Sequence, residues 1–183
     1  QDAEDLLAAP AVGGDVLRRM TILFADVVDS TALSTRIDPE IYRTVTGRYR
    51  QQVTDVVERY EGHIFSTKAT LLAVFGHPIA HENDVRRAVQ AGLDITREIA
   101  QLSDRARTRF GFDISVRVGV HRGLVYLDVA QDDVYGLGAN LTARVSGLAP
   151  PGCVVVSGAI APLVCDHFEL EARAAQRVKG IEE

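Results

Sequence analysis

The chain has 183 residues, 46% hydrophobic and 25% charged, which suits one globular domain with a sizeable core. Its net charge of −5 leaves no basic field to hold nucleic acid or acidic lipid, and no apolar run approaches the roughly 18 residues needed to span a bilayer. Cys153 and Cys165 have no partners at metal-ligand spacing and read as reduced thiols of a cytoplasmic protein.

Residues 1–18 mix Ala, Gly and acids without periodicity and read as a linker ahead of a domain spanning 19–183. The sequence opens on Gln1, without a visible signal peptide, and is expected to be a piece of a longer protein. "MTILFADVV" (20–28) is a buried-strand run, after which Ser30 and Thr31 offer caps for a short helix. A long helix should follow Pro39, because Tyr42, Val45, Tyr49, Val53, Val56 and Tyr60 form one apolar stripe ending at Glu61-Gly62. "HIFST" and "LLAVFG" read as two strands joined by a very short turn. A second helix is predicted from Asn83, a plausible cap, to Leu102.

"FDISVRVGVHRG" alternates at Ile114, Val116, Val118 and Val120, predicting a half-buried strand with "LVYLDV" returning beside it. A polar loop precedes a helix from about Gly138. "CVVVSG" is a further strand, and "FELEA" and "RVKG" would form a last pair. The order β-α-β-β-α-β-β-α-β predicts an α+β fold: a ferredoxin-like, mixed, mostly antiparallel sheet with helices on one face.

Two segments carry candidate chemistry. Asp26 closes a buried apolar strand, where a carboxylate is costly unless a metal ion or another partner offsets its charge. The alternative is a turn or capping Asp. In "DDVYGLGANLTAR", Gly136 and Gly138 permit close backbone approach. Asn140 and Arg144, four apart, share one helix face and would suit a sugar and a phosphate; equally, both are ordinary surface residues.

Taken in order, "TILFADVVDST", "EGHIF", "LLAVFG", "VRVGVHRGLV", "DVYGLGANLTAR" and "LAPPGCVVVS" resemble the class III adenylate and guanylate cyclase catalytic domains, of the bacterial type. The resemblance implies that Asp26, with the carbonyl of Val27, binds metal. Asp133 accepts from the adenine amino group, and Val134 touches the purine through its backbone. Asn140 positions the ribose and Arg144 stabilises charge on the α-phosphate. Lys179, in "VKG", falls near the lysine that meets the terminal phosphates. It further implies ATP as substrate, two Mg2+ or Mn2+ ions per site, and a head-to-tail homodimer whose two sites are shared between subunits.

One stretch departs from the family. Relatives carry Gly-Asp in the turn before "LLAVFG", and that Asp is the second metal ligand; here the turn reads "STKAT", one residue shorter and without a carboxylate. Ser66 stands where the base-selecting lysine is usual, and Lys68 is either its substitute or a solvated turn lysine. Either the sequence lacks residues of the turn, or a metal ligand has been lost, or Asp29 supplies the second carboxylate. Relatives also continue past "KGIEE" into an edge strand. The leading expectation is an adenylate cyclase. The alternative is a degenerate cyclase that binds nucleotide and dimerises as a regulatory module without catalysis.

Overall fold

The computed structural model describes residues 16–28, 30–67, 70–128 and 130–170. Its elements in chain order are β1 (Val16–Val27), α1 (Ser30–Arg36), α2 (Pro39–Arg59), β2 (His63–Thr67), β3 (Thr70–Phe75), α3 (Asp84–Phe110), β4 (Val116–Asp128), β5 (Asp133–Tyr135), α4 (Leu137–Gly147), β6 (Val154–Val156) and α5 (Ala161–Val164). The sheet runs β2-β3-β1-β4-β5, with β6 also on β4. All described pairings are antiparallel except β4–β6. This is the expected mixed, mostly antiparallel α+β architecture.

β1 is the axis. It pairs with β3 from Thr21↔Phe75 to Asp26↔Thr70, and with β4 over its whole length, from Val16↔Leu127 to Val27↔Val116. Alternation divides its side chains. Leu23, Ala25 and Val27 join the main core beneath α2 and α3, while Met20 and Ile22 join a second cluster on the other face. The long helices follow the predicted stripes. Val45, Tyr49, Val53 and Val56 of α2 are buried, as are Val89, Gly92, Ile95, Ile99 and Leu102 of α3.

Local chemistry sets the helix ends. The Asp38 carboxylate accepts from the N–H groups of Glu40 (2.9 Å) and Ile41 (3.4 Å), with Pro39 behind it. Asn83 makes no side-chain cap; its Oδ1 accepts instead from Arg87 Nε at 2.8 Å. The buried Asp94 ties the helices together: its carboxylate accepts from the Tyr60 hydroxyl (2.6 Å), Gln90 Nε2 (3.1 Å) and Arg97 Nη2 (3.1 Å). A buried carboxylate so satisfied joins the end of α2 to the middle of α3.

Several expectations change. β1 begins at Val16 rather than Met20, and α3 runs to Phe110, past Leu102, before Gly111 turns left-handed at φ 81°. The two strands expected at 112–123 and 124–129 are one, β4, because β1 pairs straight through Met20↔Gly123. The second strand of that region is the short β5, in what read as a polar loop. Phe168–Leu170 are not in a strand, and the rest of the expected last pair lies outside the described residues.

Not all helices share one face. α2 and α3 cover the first, while α4 lies across the second, where Ala139 packs with Val125, Leu127 and Val134. The cause is two backbone contacts. Gly119 meets the backbone of Ser146 so closely that a Cβ has no room, and a Cβ on Gly138 would stand 2.5 Å from the Leu124 carbonyl oxygen. We expect Gly119→Ala to cost about 1–3 kcal/mol in urea unfolding, because backbone has to move. Gly47→Ala, on the exposed face of α2 with open space around it, should instead stabilise by about 0.5–1 kcal/mol.

Candidate functional site

Asp26 sits half-buried at the end of β1, between Thr70 on one neighbour and Arg117 on the other. Burial pushes its carboxyl pKa up from the ordinary value. The Thr70 hydroxyl and the Val27 N–H, which donate to it, and the charge of Arg117 oppose that rise. Beneath lies Tyr49, wholly buried, its hydroxyl without a partner among the described residues. Burial, then the charge of Asp26, push its phenol far above its ordinary range. Thr70, Arg117 and Tyr49 were not singled out in the sequence as neighbours of Asp26. The pairing register brings Thr70 and Arg117 there, and the packing of α2 on the sheet brings Tyr49.

Asn140 and Arg144 occupy the exposed side of α4. The helix can turn that side outward because its inward polar groups satisfy themselves: Thr142 Oγ1 donates to the Gly138 carbonyl at 2.7 Å and Ser146 Oγ to the Ala143 carbonyl at 2.7 Å. Gly136, at φ 116°, starts the helix with a backbone that favours glycine. Leu137 and Leu148 stand on the same stripe at 64% and 36% exposure. Two exposed leucines thus flank an amide and a guanidinium on one side of the helix.

Asp133 and Val134 lie on β5, just before this helix. Asp133 is exposed, and one of its oxygens accepts from the Val134 N–H at 2.8 Å, leaving the other for a ligand. Val134 is buried in the second-face cluster that also holds Phe65, Val74 and Leu127. His63 Nε2 and Asp132 Oδ1, 2.8 Å apart, join β2 to the turn before β5. Tyr135 stacks on Tyr126, ring centroids 5.2 Å apart.

The structure therefore groups the predicted residues in two sets: Asp26 and Val27 at a strand end, and Asp133, Val134, Asn140 and Arg144 on β5 and α4. Lys68, Asp29 and Lys179 lie outside the described residues. Among the described residues, no group of three or more His, Cys, Asp or Glu converges on a metal position. Asp26 is one carboxylate with a carbonyl beside it. That fits a single divalent ion and not a pair bridged by two carboxylates.

A buried charge with a raised pKa lowers stability. The penalty is absent where Asp26 is protonated and sets in as pH rises through that pKa. Asp26→Asn should accordingly raise the thermal midpoint at neutral pH, by about 2–4 °C per kcal/mol gained, and the gain should shrink in acid. Differential scanning calorimetry at several pH values checks this.

Residues 15–183 match the profile of the "Adenylate and Guanylate cyclase catalytic domain" family. Among curated proteins, the chain is 25% identical over 173 residues to the soluble guanylate cyclase gcy-37 of Caenorhabditis elegans, covering 91% of this chain and 24% of that protein. It is 28% identical over 155 residues to the putative adenylate cyclase 3 of Rhizobium meliloti, covering 84% and 24%. With the adenylate cyclase of Streptomyces griseus it shares 28% over 163 residues, covering 87% and 37%. The chain thus spans well under half the length of these relatives. Among solved structures, the adenylyl cyclase CyaB of P. aeruginosa superimposes with a TM-score of 0.85 at 20% identity, covering 92% of this chain and 91% of that one. The guanylyl cyclase Cya2 does so with 0.84 at 22%, covering 91% and 88%. At such identities the likeness is one of fold.

Proposed function

The chain belongs to the family of adenylate and guanylate cyclase catalytic domains, and from that premise we propose that it converts ATP to 3′,5′-cyclic AMP and pyrophosphate, at sites shared between two copies. The observation that carries this reading is the outward stripe of α4. Asn140 and Arg144 stand there between two exposed leucines, with Asp133 and Val134 beside them on β5. A second copy docked head-to-tail would cover the leucines and bring its own Asp26 to face the pair.

In the reaction the ribose 3′-oxygen attacks the α-phosphorus in line. The new P–O bond closes the ring, the bond to the β-phosphate breaks, and pyrophosphate leaves with the electron pair, while the hydroxyl proton passes to solvent. Little covalent help is available, so positioning and charge stabilisation supply the acceleration. In this reading Asn140 orients the ribose. Arg144 donates its guanidinium fork to the α-phosphate oxygens, where negative charge builds. The free oxygen of Asp133 accepts from the adenine amino group; a guanine, which presents a carbonyl oxygen there, would meet repulsion. Val134 supplies backbone contact to the purine. Asp26, with the Val27 carbonyl, would hold one Mg2+ or Mn2+, which when bound lowers the pKa of the attacking hydroxyl and neutralises triphosphate charge. Lys68 and Lys179 are proposed to meet base and terminal phosphates.

Arg144→Ala should lower kcat by about 10²–10³-fold with a smaller change in KM, measured as cyclic AMP formed from ATP and manganese. An unchanged rate removes Arg144 from the mechanism. Mixing Asp26→Ala with Arg144→Ala protein should restore part of the activity, through one composite site with both residues intact. Absence of recovery overturns the shared site.

The turn "STKAT" favours a second reading, in which the domain binds nucleotide and dimerises as a regulatory module. The carboxylate expected there is absent from the sequence, and Asp26 has a hydroxyl and a guanidinium as strand neighbours instead. Inserting Gly-Asp between Lys68 and Leu71 separates the two readings. Activity that rises from a measurable base supports a cyclase weakened in its metal turn. A protein silent before and after insertion, yet binding ATP, supports the module.

A further inference from the structure

At the end of the sheet away from Asp26, the start of β1, the first turn of α3 and the segment after α5 enclose an open cleft of about 710 Å³. Four arginines line it: Arg18 and Arg19 from β1, Arg86 from α3 and Arg122 from β4. Arg122 stands diagonally across the ladder from Arg19, two residues off its direct partner, since Thr21 pairs with Arg122 and Arg19 with Leu124. All four are exposed. Among the described residues, ion pairs go to Arg59, Arg87, Arg97 and Arg107 and to none of these four.

Two carboxylates share the cleft, Glu82 and Asp84. One Asp84 oxygen accepts from the His81 N–H at 2.8 Å; the other, buried and 3.4 Å from His81 Nδ1, has no hydrogen-bond partner among the described residues. Arg18 follows the alternation of Met20 towards the other face of the sheet, opposite Val125 of the second cluster, so the balance on the α3 side is three guanidiniums, of Arg19, Arg86 and Arg122, against two acids, in a chain whose net charge is −5. Composition does not explain this gathering; three elements far apart in sequence produce it. Exposed guanidiniums around one opening give it a local positive field that favours an incoming anion. A guanidinium fork matches phosphate oxygens, and the cleft falls within the volume usual for small-ligand sites. Arginines that arise from separate strands and a helix around an opening of this size suit an anion of several linked phosphate groups better than a single phosphate.

We propose that this cleft binds a polyphosphate anion, with two or more linked phosphate groups, at a site distinct from the candidate cyclase site. The inference does not rest on the cyclase reading, because its residues are not those of α4, β5 or the end of β1.

The test is calorimetric titration of the full chain with inorganic tripolyphosphate in buffer free of divalent metal. We expect one anion bound per chain, an affinity roughly tenfold or more weaker in Arg19→Gln/Arg122→Gln, and no change in Arg144→Ala. Arg19→Lys/Arg122→Lys, which keeps charge and loses the fork, should fall between. Both paired variants are checked for an unaltered thermal midpoint without ligand; if either is unstable, Arg86→Gln alone, on the helix surface, is read in its place. Three outcomes overturn the proposal: no binding at about 1 mM anion, binding unchanged when the arginines are neutralised, or binding lost in Arg144→Ala.

Discussion

The molecule turns on how closely α4 approaches the sheet. Gly119 and Gly138 remove the side chains that would keep helix and strand apart, one towards each end of the helix. The backbone of Ser146 then rests on β4, and the Leu124 carbonyl faces Gly138. With the inward hydroxyls of Thr142 and Ser146 returned to the helix's own carbonyls, that side can be buried. Asn140 and Arg144 are left on the outside. A helix two ångströms further from the sheet would carry the same residues at the wrong height, which is why small side chains underneath matter as much as large ones above.

β1 supplies the second half of the arrangement. Its alternation feeds both cores, and its register sets who stands beside Asp26. A slip of one residue would exchange the two faces and bring a different pair of neighbours to the carboxylate. The main core fixes that register, since Leu23, Ala25 and Val27 must meet α2 and α3. The buried Asp94, bonded across both helices, keeps those two as a single slab.

Much of this was legible in the sequence. Apolar stripes located α2 and α3, and the alternation at Val116, Val118 and Val120 located β4. Asn140 and Arg144 were legible as a pair because spacing of four on a helix is a local property. What was missed is non-local. Nothing near Arg122-Gly123 says that β4 continues, because continuity comes from β1 across the ladder. The end of α3 was placed too early because its apolar stripe thins after Leu102, yet no breaker occurs until Gly111. Thr70 and Arg117 carry no local mark of their tie to Asp26. The second-face position of α4 depends on two glycines whose partners are other backbones, which a hydrophobic pattern cannot register.

β1 also has a mechanical meaning. It is one unbroken strand from Val16 to Val27, hydrogen-bonded to β4 along its whole length, with arginines near its beginning and the carboxylate near its close. Ten residues of extended chain span about 33 Å. Such a rod has no joint in it. The same unbroken ladder therefore ties the arginine-bearing rim of the domain to the acid at the other, with no loop between them.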